Sequence, residues 1–447
     1  MIRDWLWVLF LGGGVVFGGE AVKIPEIPLV HRTLANGLEF YASADRSTPT
    51  VAISVWYHVG SKDDPEGRSG FAHLFEHLMF KGTKWTPPET IDRFTEDVGG
   101  SNNAYTSDDV TVYHEVVPSN HLERLIWAEA DRMSGLTVDD KNFRSEREVV
   151  KQEYLQRVEA PPYGLFGELV IQKSFVEHPY RRPTIGNISE LNAATLEDVR
   201  KFHATYYRPD NATLVVVGDF EMGQLNGWVD AYFGRVPKPE GEVPRVKVKE
   251  PRRVKGARLV EYSSRVPLPA VGVTYLGPAA RSEEALALEV GQEILAGGES
   301  SRLYQRLVYA TQLAQSVEFS GDLREDVGLL FFELVVGSGK SVKGAERELF
   351  AEIERIATLP VSAGELRKAK NRLVTARLRE RETCAGRAEA IGRAAVILGD
   401  AGRVNEEVSR LQGVTAAEVL GVMRGVFTGE NRLTLEYLPE AMKGAKE

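Results

Sequence analysis

The pattern of hydrophobic and polar positions along the chain predicts strands and helices in irregular alternation. The β-branched and aromatic run at Thr50–Gly60 and the short apolar run at Thr213–Val217 are typical of strands, and the second is expected to be covered on both faces. Helical spacing of apolar residues is found in Phe71–Phe80 and Asn120–Met133, whereas Asn142–Val158 is predicted to be helical from its i,i+4 charge pairs. Such irregular alternation predicts an α+β fold and not a doubly wound parallel sheet.

Part of this pattern occurs twice in the chain, at a constant offset of 220 residues. The matched pairs are Thr195 with Thr415, Tyr207 with Phe427, Asn211 with Asn431 and Val51 with Val271. One agreement of this kind could arise by chance, but a shared offset at both ends of the repeat is much harder to dismiss. The sequence therefore predicts two homologous domains, each a mixed or antiparallel sheet with helices packed on it.

The segment 235–256 separates the two halves and is rich in proline and charge. We predict that it is the domain boundary, between an N-terminal domain at 22–234 and a C-terminal domain at 257–447. Its basic stretch, Arg245–Lys255, is interpreted as a solvated linker because it contains few large apolar residues.

The first 21 residues have the pattern of an export signal. A positive N-terminus is followed by the uncharged run 5–19, and Gly19–Ala21 fits the small-x-small cleavage pattern. The run is short for a membrane span, which needs about 20 residues. The sequence predicts an exported, periplasmic protein, with a membrane anchor formed by residues 5–19 as the alternative.

Composition and charge narrow the function further. With 55 basic and 64 acidic residues, the net charge of −9 argues against nucleic acid as the main partner. Cys384 is the single cysteine, so neither an intramolecular disulfide nor a thiolate zinc site of the zinc-finger kind can form. Any metal must be held by histidine and carboxylate side chains.

The segment His73-Leu-Phe-Glu76-His77 supplies such side chains at a spacing that suits zinc. On a helix His73 and His77 lie about 40° apart on one face, so two imidazoles can reach one tetrahedral ion. Glu76 lies about 60° to the other side of His73, where its carboxylate can accept a proton from a zinc-bound water as general base. The order H-x-x-E-H is the reverse of the common metalloprotease motif. Two structural histidines are the alternative, but burying both in an apolar helix without a shared purpose is costly.

A third protein ligand is needed, which leaves the fourth zinc position for water. The candidates are His114, His121, His178 and the acidic residues of Asn142–Val158. Within that helix Glu146 and Glu153 lie about 20° apart on one stripe. Spacing alone does not choose among these side chains.

Four segments closely resemble the pitrilysin/insulinase family of inverzincin zinc metallopeptidases, especially its mitochondrial-processing-peptidase-like branch. They are GFAHLFEHLMFKGT from Gly70, GGSNNAYTSDDVTVY from Gly99, EREVVKQE from Glu146 and GGESSRLYQRL from Gly297. The resemblance runs from about Thr33 to Pro439. It implies a duplicated fold of the LuxS/processing-peptidase-like type and a zinc-dependent endopeptidase that binds one Zn²⁺ per chain.

The resemblance also implies roles for individual residues. Glu153 would complete the zinc site, 76 residues after His77. Glu146 would be the companion glutamate that organises the site without binding the metal. Asn103 and Ala104 would belong to an edge strand that pairs with the backbone of a peptide substrate; a plain turn is the alternative for this segment.

The sequence departs from the family in its second half. Self-sufficient members carry an arginine and a tyrosine, seven residues apart, that contact the scissile carbonyl, and the matching positions here are Val308 and Gln315. Neither side chain can take over oxyanion stabilisation. The resemblance therefore implies the zinc-bearing subunit of a heterodimer, completed by a homologous subunit that carries the pair. Two alternatives stay open: a non-catalytic structural or binding subunit on the same scaffold, and a homodimeric peptidase that uses Arg306 or another cation in place of the lost arginine.

Overall fold

A computed structural model describes residues 24–444, which form two halves of helices and sheet. The strands of the first half are β1 (Val30–Thr33), β2 (Glu39–Ala44), β3 (Thr50–Tyr57), β4 (Ser101–Thr106), β5 (Thr111–Pro118) and β6 (Ala212–Gly218). Its helices are α1 (Phe71–Leu78), α2 (Thr90–Glu96), α3 (Leu122–Gly135), α4 (Asp140–Tyr154), α5 (Gly164–Ser174), α6 (Ile188–Ala193), α7 (Leu196–Tyr206) and α8 (Met222–Tyr232).

The second half repeats this arrangement with fewer strands. Its strands are β7 (Ala257–Ser263), β8 (Ala270–Gly277), β9 (Ala314–Asp322), β10 (Gly328–Val336) and β11 (Leu433–Pro439). Its helices are α9 (Ala285–Ala296), α10 (Val342–Thr358), α11 (Ala363–Glu380), α12 (Cys384–Val396), α13 (Arg403–Gly413) and α14 (Ala416–Val426). The predicted export signal lies outside the described residues. Among the described helices, none combines the length and apolar character that a membrane span requires.

The two sheets share one strand order. The first runs β1-β2-β6-β3-β5-β4 and the second β7-β11-β8-β10-β9, so every strand of the first sheet except β1 has a counterpart in the second. In each sheet one parallel pair, β2 with β6 or β7 with β11, adjoins antiparallel pairs. Two mixed sheets with packed helices confirm the predicted duplicated α+β architecture.

The repeated residues make equivalent hydrogen bonds in both halves. Helices α7 and α14 each begin with a capping box, in which a threonine and an acidic residue three positions on bond each other's backbone amides. Asn211 Nδ2 donates to the Tyr206 carbonyl at 2.8 Å, and Asn431 Nδ2 donates to the Val426 carbonyl at 2.9 Å. Both asparagines thereby bond the end of the preceding helix, which explains why the repeat is visible in the sequence.

Each half lends one helix to the sheet of the other. Helix α5 packs Phe166 and Val170 against the second sheet, and helix α12 packs Ile391 against the first. At Gly392 the approach is so close that a Cβ atom would lie 2.1 Å from the Trp56 ring. Because α12 covers the face of the first sheet that its own helices leave open, β3 and β6 are buried along nearly their whole length. We call this arrangement the reciprocal helix exchange.

The linker has no strand and no helix beyond its first residue, but its basic stretch is not simply solvated as the sequence suggested. Arg245 Nη1 donates to the His58 carbonyl at 2.7 Å. Arg253 Nη2 donates to the Ser174 carbonyl at 2.5 Å, and its Nη1 to the Asn431 carbonyl at 2.9 Å. Arg245 is nevertheless exposed to solvent, as interpreted, whereas Arg253 is partly buried against these carbonyl groups, so the interpretation was wrong for Arg253.

An ion-pair network also joins the halves at the turn between β4 and β5. Lys62 Nζ lies 2.8 Å from Asp109 Oδ1 and 2.7 Å from Glu325 Oε2, with the lysine side chain only 6% exposed. The amide of Glu325 donates to Asp109 Oδ2 at 2.9 Å. We call Lys62, Asp109 and Glu325 the inter-half network; it fixes the β4–β5 turn against the second half.

Candidate functional site

Helix α1 directs its polar side chains to a common site, whereas its apolar side chains pack into the core. The buried apolar residues are Phe71, Ala72, Leu74, Phe75 and Leu78. The helix begins after Gly70, whose φ of 90° favours glycine and whose Cβ, if present, would lie 2.8 Å from the Ile185 carbonyl oxygen. Asp64 accepts hydrogen bonds from the amides of Gly70, at 2.7 Å, and Ala72, at 2.9 Å. These bonds satisfy free amides of the first turn and hold the helix in place.

Three metal-type donors meet between α1 and the last turn of α4. His73 Nε2 lies 3.7 Å from Glu153 Oε2, and His77 Nε2 lies 3.3 Å from the same oxygen. One donor atom from each of the three residues lies within 4.8 Å of the others, and within residues 24–444 no other such group of three occurs. Zinc holds tetrahedral ligands at about 2.0–2.2 Å, which places donors roughly 3.3–3.6 Å apart. The donor set therefore fits a zinc ion after small side-chain shifts.

The pKa values of the two histidines are shifted in opposite directions. Burial, and next the neighbouring His77, lowers the pKa of His73 to about 3, so its imidazole is neutral, as metal ligation requires. Burial also opposes protonation of His77, but the carboxylates of Glu146, Glu153 and Glu76 outweigh it and raise its pKa. The other oxygen of Glu153 pairs with Arg157 at 2.6 Å. Acidic side chains and Arg157 thus surround the two imidazoles, whose ring planes are inclined at 84° to one another.

Glu146 lies behind the donor group and not within it. Its side chain is buried, and Oε2 is 3.8 Å from His77 Nδ1, the ring nitrogen that does not face Glu153. Lys81 Nζ lies 3.2 Å from Oε1 of the same carboxylate. An acid in this position favours a proton on Nδ1 of His77 and leaves Nε2 free to bind a metal.

Glu76 lies beside the donor group with a separate partner. Its Oε2 accepts a hydrogen bond at 2.6 Å from Oγ1 of Thr106, which is the last residue of β4. Burial raises the pKa of Glu76 above its ordinary value of 4.5, while the bond from Thr106 works in the opposite direction. A carboxylate with a raised pKa is a better proton acceptor than an ordinary one.

Asn103 and Ala104 lie on β4, the last strand of the first sheet. They pair with His114 and Tyr113 of β5, and among the described strands β4 has no partner on its other side. The Ala104 amide donates to the Asn103 side chain at 2.9 Å. The segment is therefore a strand and not the plain turn considered as the alternative.

The remaining histidine candidates lie away from the donor group. His114 is on β5, and His121 contacts Asn120 at the start of α3. His178 is fully buried, with Nε2 at 3.3 Å from Asp326 Oδ2 in the second half. The structure thus brings together His73, His77 and Glu153 from the sequence-based candidates and leaves these three elsewhere.

The second half provides no arginine–tyrosine pair at the expected positions. Val308 packs against the core of the second half, and Gln315 is exposed on β9. Arg306 forms an ion pair with Glu348 at 2.7 Å, and Tyr309 is 72% exposed.

Two contact residues were missed at the sequence level. Thr106 and Lys81 both lie inside segments that resemble the family, but a hydroxyl in a strand and a lysine after a helix have many ordinary roles. Thr106 is identified only by its 2.6 Å bond to Glu76, and Lys81 only by its ion pair with Glu146.

Comparisons with known proteins point to a single family. The family model described as "Insulinase (Peptidase family M16)" matches residues 40–187, and that described as "Peptidase M16 inactive domain" matches residues 193–373. The zinc protease PqqE of Helicobacter pylori is 31% identical over 343 residues, which cover 76% of this chain and 77% of that protein. A probable mitochondrial-processing peptidase subunit beta of Arabidopsis thaliana is 25% identical, over 87% of this chain and 74% of that protein. The crystal structure of a protease from Helicobacter pylori superposes with a TM-score of 0.89 at 26% identity, covering 93% of this chain and 100% of that chain.

Proposed function

The chain belongs to the insulinase family of peptidases, and from this premise we propose that it is the zinc-bearing subunit of an endopeptidase acting on peptides or unfolded polypeptide segments. The observation that carries the proposal is the convergence of His73, His77 and Glu153, with Glu76 beside them. The name of the relative from Helicobacter pylori, a zinc protease, supports zinc as the metal.

In this proposal the side chains divide the chemistry. His73, His77 and Glu153 hold one zinc ion, and Glu146 orients His77. Bound zinc contributes a Lewis acid that polarises an amide carbonyl and makes water more acidic. Glu76 takes a proton from the attacking water and delivers it to the amine that leaves when the C–N bond breaks. The burial of Glu76 supports this role, because it raises the pKa of the carboxyl group in the direction of neutral pH.

Substrate binding is assigned to the free edge of β4. A peptide would pair with Asn103 and Ala104 through its backbone and extend the sheet by one strand. Backbone pairing makes little demand on side chains, but it requires an extended peptide. The expected substrates are therefore peptides or unfolded segments, and not folded proteins.

A partner subunit is part of the proposal. Val308 and Gln315 have no group that can stabilise an oxyanion, and loss of such donors reduces turnover about a hundredfold or more. The relative from Arabidopsis thaliana is named as a subunit, which supports an assembly of homologous chains. Arg306 is already paired with Glu348, which favours a heterologous partner with its own arginine and tyrosine over a homodimer that relies on Arg306.

A non-catalytic structural or binding subunit is the second candidate. It is favoured by the two missing donors and by the inactive-domain model that matches much of the second half. Zinc content separates the candidates: the enzyme binds about one zinc per chain, whereas the scaffold binds none.

Export to the periplasm is proposed from the sequence pattern of residues 1–21 alone. Cleavage after Ala21 gives a mature protein that starts at Val22. N-terminal sequencing of the protein from a periplasmic fraction tests this, and a full-length chain in the membrane fraction would support the anchor instead.

The central test is hydrolysis of an unstructured fluorogenic peptide by this chain, alone and mixed with a homologous subunit that carries the arginine–tyrosine pair. Glu76→Gln should keep the zinc and abolish cleavage. Glu148→Gln is the matched control, since Glu148 is exposed on α4 and its ion-pair partners, Arg147 and Lys151, lie on its own helix. Cleavage that survives Glu76→Gln would refute the mechanism, and equal cleavage by the chain alone would refute the need for a partner.

A further inference from the structure

The carboxylate of Glu76 has one side-chain hydrogen-bond partner among residues 24–444, and that partner lies on the edge strand. Thr106 Oγ1 donates to Glu76 Oε2 at 2.6 Å. The second oxygen of the carboxylate has no such partner in the described part of the chain. One oxygen is thus fixed, and the other is available to a proton.

Thr106 is itself held in a defined position. A β-branched side chain has few rotamers, and Thr106 pairs in register with Thr111 of β5. Thr111 Oγ1 donates to the Val59 carbonyl at 2.9 Å, and the amide of Ser107 donates to the Val110 carbonyl at 2.8 Å. The hydroxyl that bonds Glu76 therefore projects from a closed and pinned hairpin.

The tip of this hairpin is fixed by residues of both halves of the chain. Asp109 at the turn belongs to the inter-half network, with Lys62 at 2.8 Å and the Glu325 amide at 2.9 Å. Tyr180 also donates to Asp109 Oδ1, at 2.5 Å. The position of Thr106 is consequently determined by both halves and not by the local turn alone.

Ala104, which lies on the free edge of the same strand, is two residues before Thr106. On this side the Ala104 amide donates a hydrogen bond to the side chain of the adjacent Asn103, which does not tie the strand to another element. An extended peptide can replace that bond and continue along β4. A peptide bound there would run directly past the threonine that holds Glu76.

We propose that Thr106 is a positioning residue that holds the Glu76 carboxylate at a fixed offset from the β4 edge, so that a peptide paired to this edge presents its scissile bond to the base. The inference rests on the proposed function, because it requires Glu76 to act as the base. Thr106 acts through Glu76 and touches no reacting atom.

The test compares Thr106→Val, which removes the hydroxyl at nearly constant shape, with Thr106→Ser, which keeps it. Both are assayed in the zinc-loaded chain together with its partner subunit. Thr106→Val should lower kcat about ten- to a hundredfold, the factor that a hydrogen bond to a charged group is worth, with KM and zinc content unchanged. Thr106→Ser should restore most of kcat. Binding of a labelled peptide to the metal-free chain, followed by fluorescence anisotropy, should be the same for all three proteins.

Thr375→Val is the control, since it removes a hydroxyl that bonds a backbone carbonyl on α11 in the second half, away from the hairpin. It should leave kcat per folded molecule unchanged. Should Thr106→Val fold poorly, the comparison of Thr106→Ala with Thr106→Ser replaces it. Wild-type kcat in Thr106→Val, or no recovery in Thr106→Ser, would overturn this inference while Glu76→Gln stays inactive. Activity in Glu76→Gln would overturn the proposed function instead.

Discussion

Replacing Gly392 by alanine tests whether helix α12 is seated on the first sheet as the reciprocal helix exchange requires. The added Cβ would lie 2.1 Å from Trp56 Cε2 and 2.2 Å from its Nε1, well inside any van der Waals contact. Trp56 is 1% exposed, and its Nε1 donates to Ser54 Oγ at 3.0 Å. Either the helix must move off the sheet by more than an ångström, or the indole must rotate and lose this bond.

The magnitude follows from three opposing contributions. Alanine in place of glycine inside a helix would stabilise by about 1 kcal/mol. Overpacking a closed core costs about 1–3 kcal/mol, and loss of the bond from Trp56 costs about 1 kcal/mol more. Gly392→Ala should therefore lower the free energy of unfolding by about 1–3 kcal/mol.

Urea unfolding followed by far-UV circular dichroism and tryptophan fluorescence measures this change. Gly421→Ala in α14 is the control, because open space surrounds that position and the substitution should stabilise by about 0.5–1 kcal/mol. In a Trp56→Leu background the penalty at Gly392 should shrink, since the two sites are in contact. A Gly392→Ala protein as stable as the parent would show that α12 does not rest on Trp56.

Three further predictions concern charge. Burial lowers the pKa of His203 to about 4, below the ordinary 6.5 of an unfolded chain, so the unfolded state takes up this proton first and stability falls as the pH drops from 6.5 towards 4. Between pH 7 and pH 5 this histidine should account for a loss of about 2 kcal/mol, which urea titrations of His203→Phe should no longer contain. Glu146→Gln should weaken zinc binding about tenfold in a chelator competition, because His77 loses the acid that orients it; unchanged affinity would exclude that role. Lys62→Met should lower the free energy of unfolding by about 3 kcal/mol, because buried carboxylates such as Glu325 then lose this positively charged partner. An unchanged free energy of unfolding in urea titrations would contradict the importance of the inter-half network.

Much of the fold could be predicted because local patterns decide it. The apolar runs at Thr50–Gly60 and Thr213–Val217 became β3 and β6, and the helix predicted at Phe71–Phe80 became α1. The helix predicted at Asn142–Val158 exists but widens into a π-helical turn at Leu155–Glu159, immediately after the turn that carries Glu153. Charge pairs reveal that a segment is helical, but a single inserted residue in its winding leaves no mark in the pattern.

The pairing of helices with sheets could not be predicted. Phe166 of α5 and Ile391 of α12 are apolar, but nothing in the sequence shows which sheet each will cover. The same limit applies to Arg253, whose carbonyl partners lie up to 178 residues away. For the candidate site, spacing supplied His73 and His77, while the choice of Glu153 needed the family resemblance.

The reciprocal helix exchange has a consequence for how such a chain can arise and be divided. Two identical protomers that each insert one helix onto the sheet of the other form a domain-swapped homodimer. This chain holds that geometry in one polypeptide, with the exchanged helices at equivalent places in the two repeats. It corresponds in geometry to a swapped dimer whose two subunits are joined end to end. If the polypeptide is cut within the linker, each fragment carries the helix that the other needs. The fragments should therefore fail to fold separately and reassemble when they are expressed together.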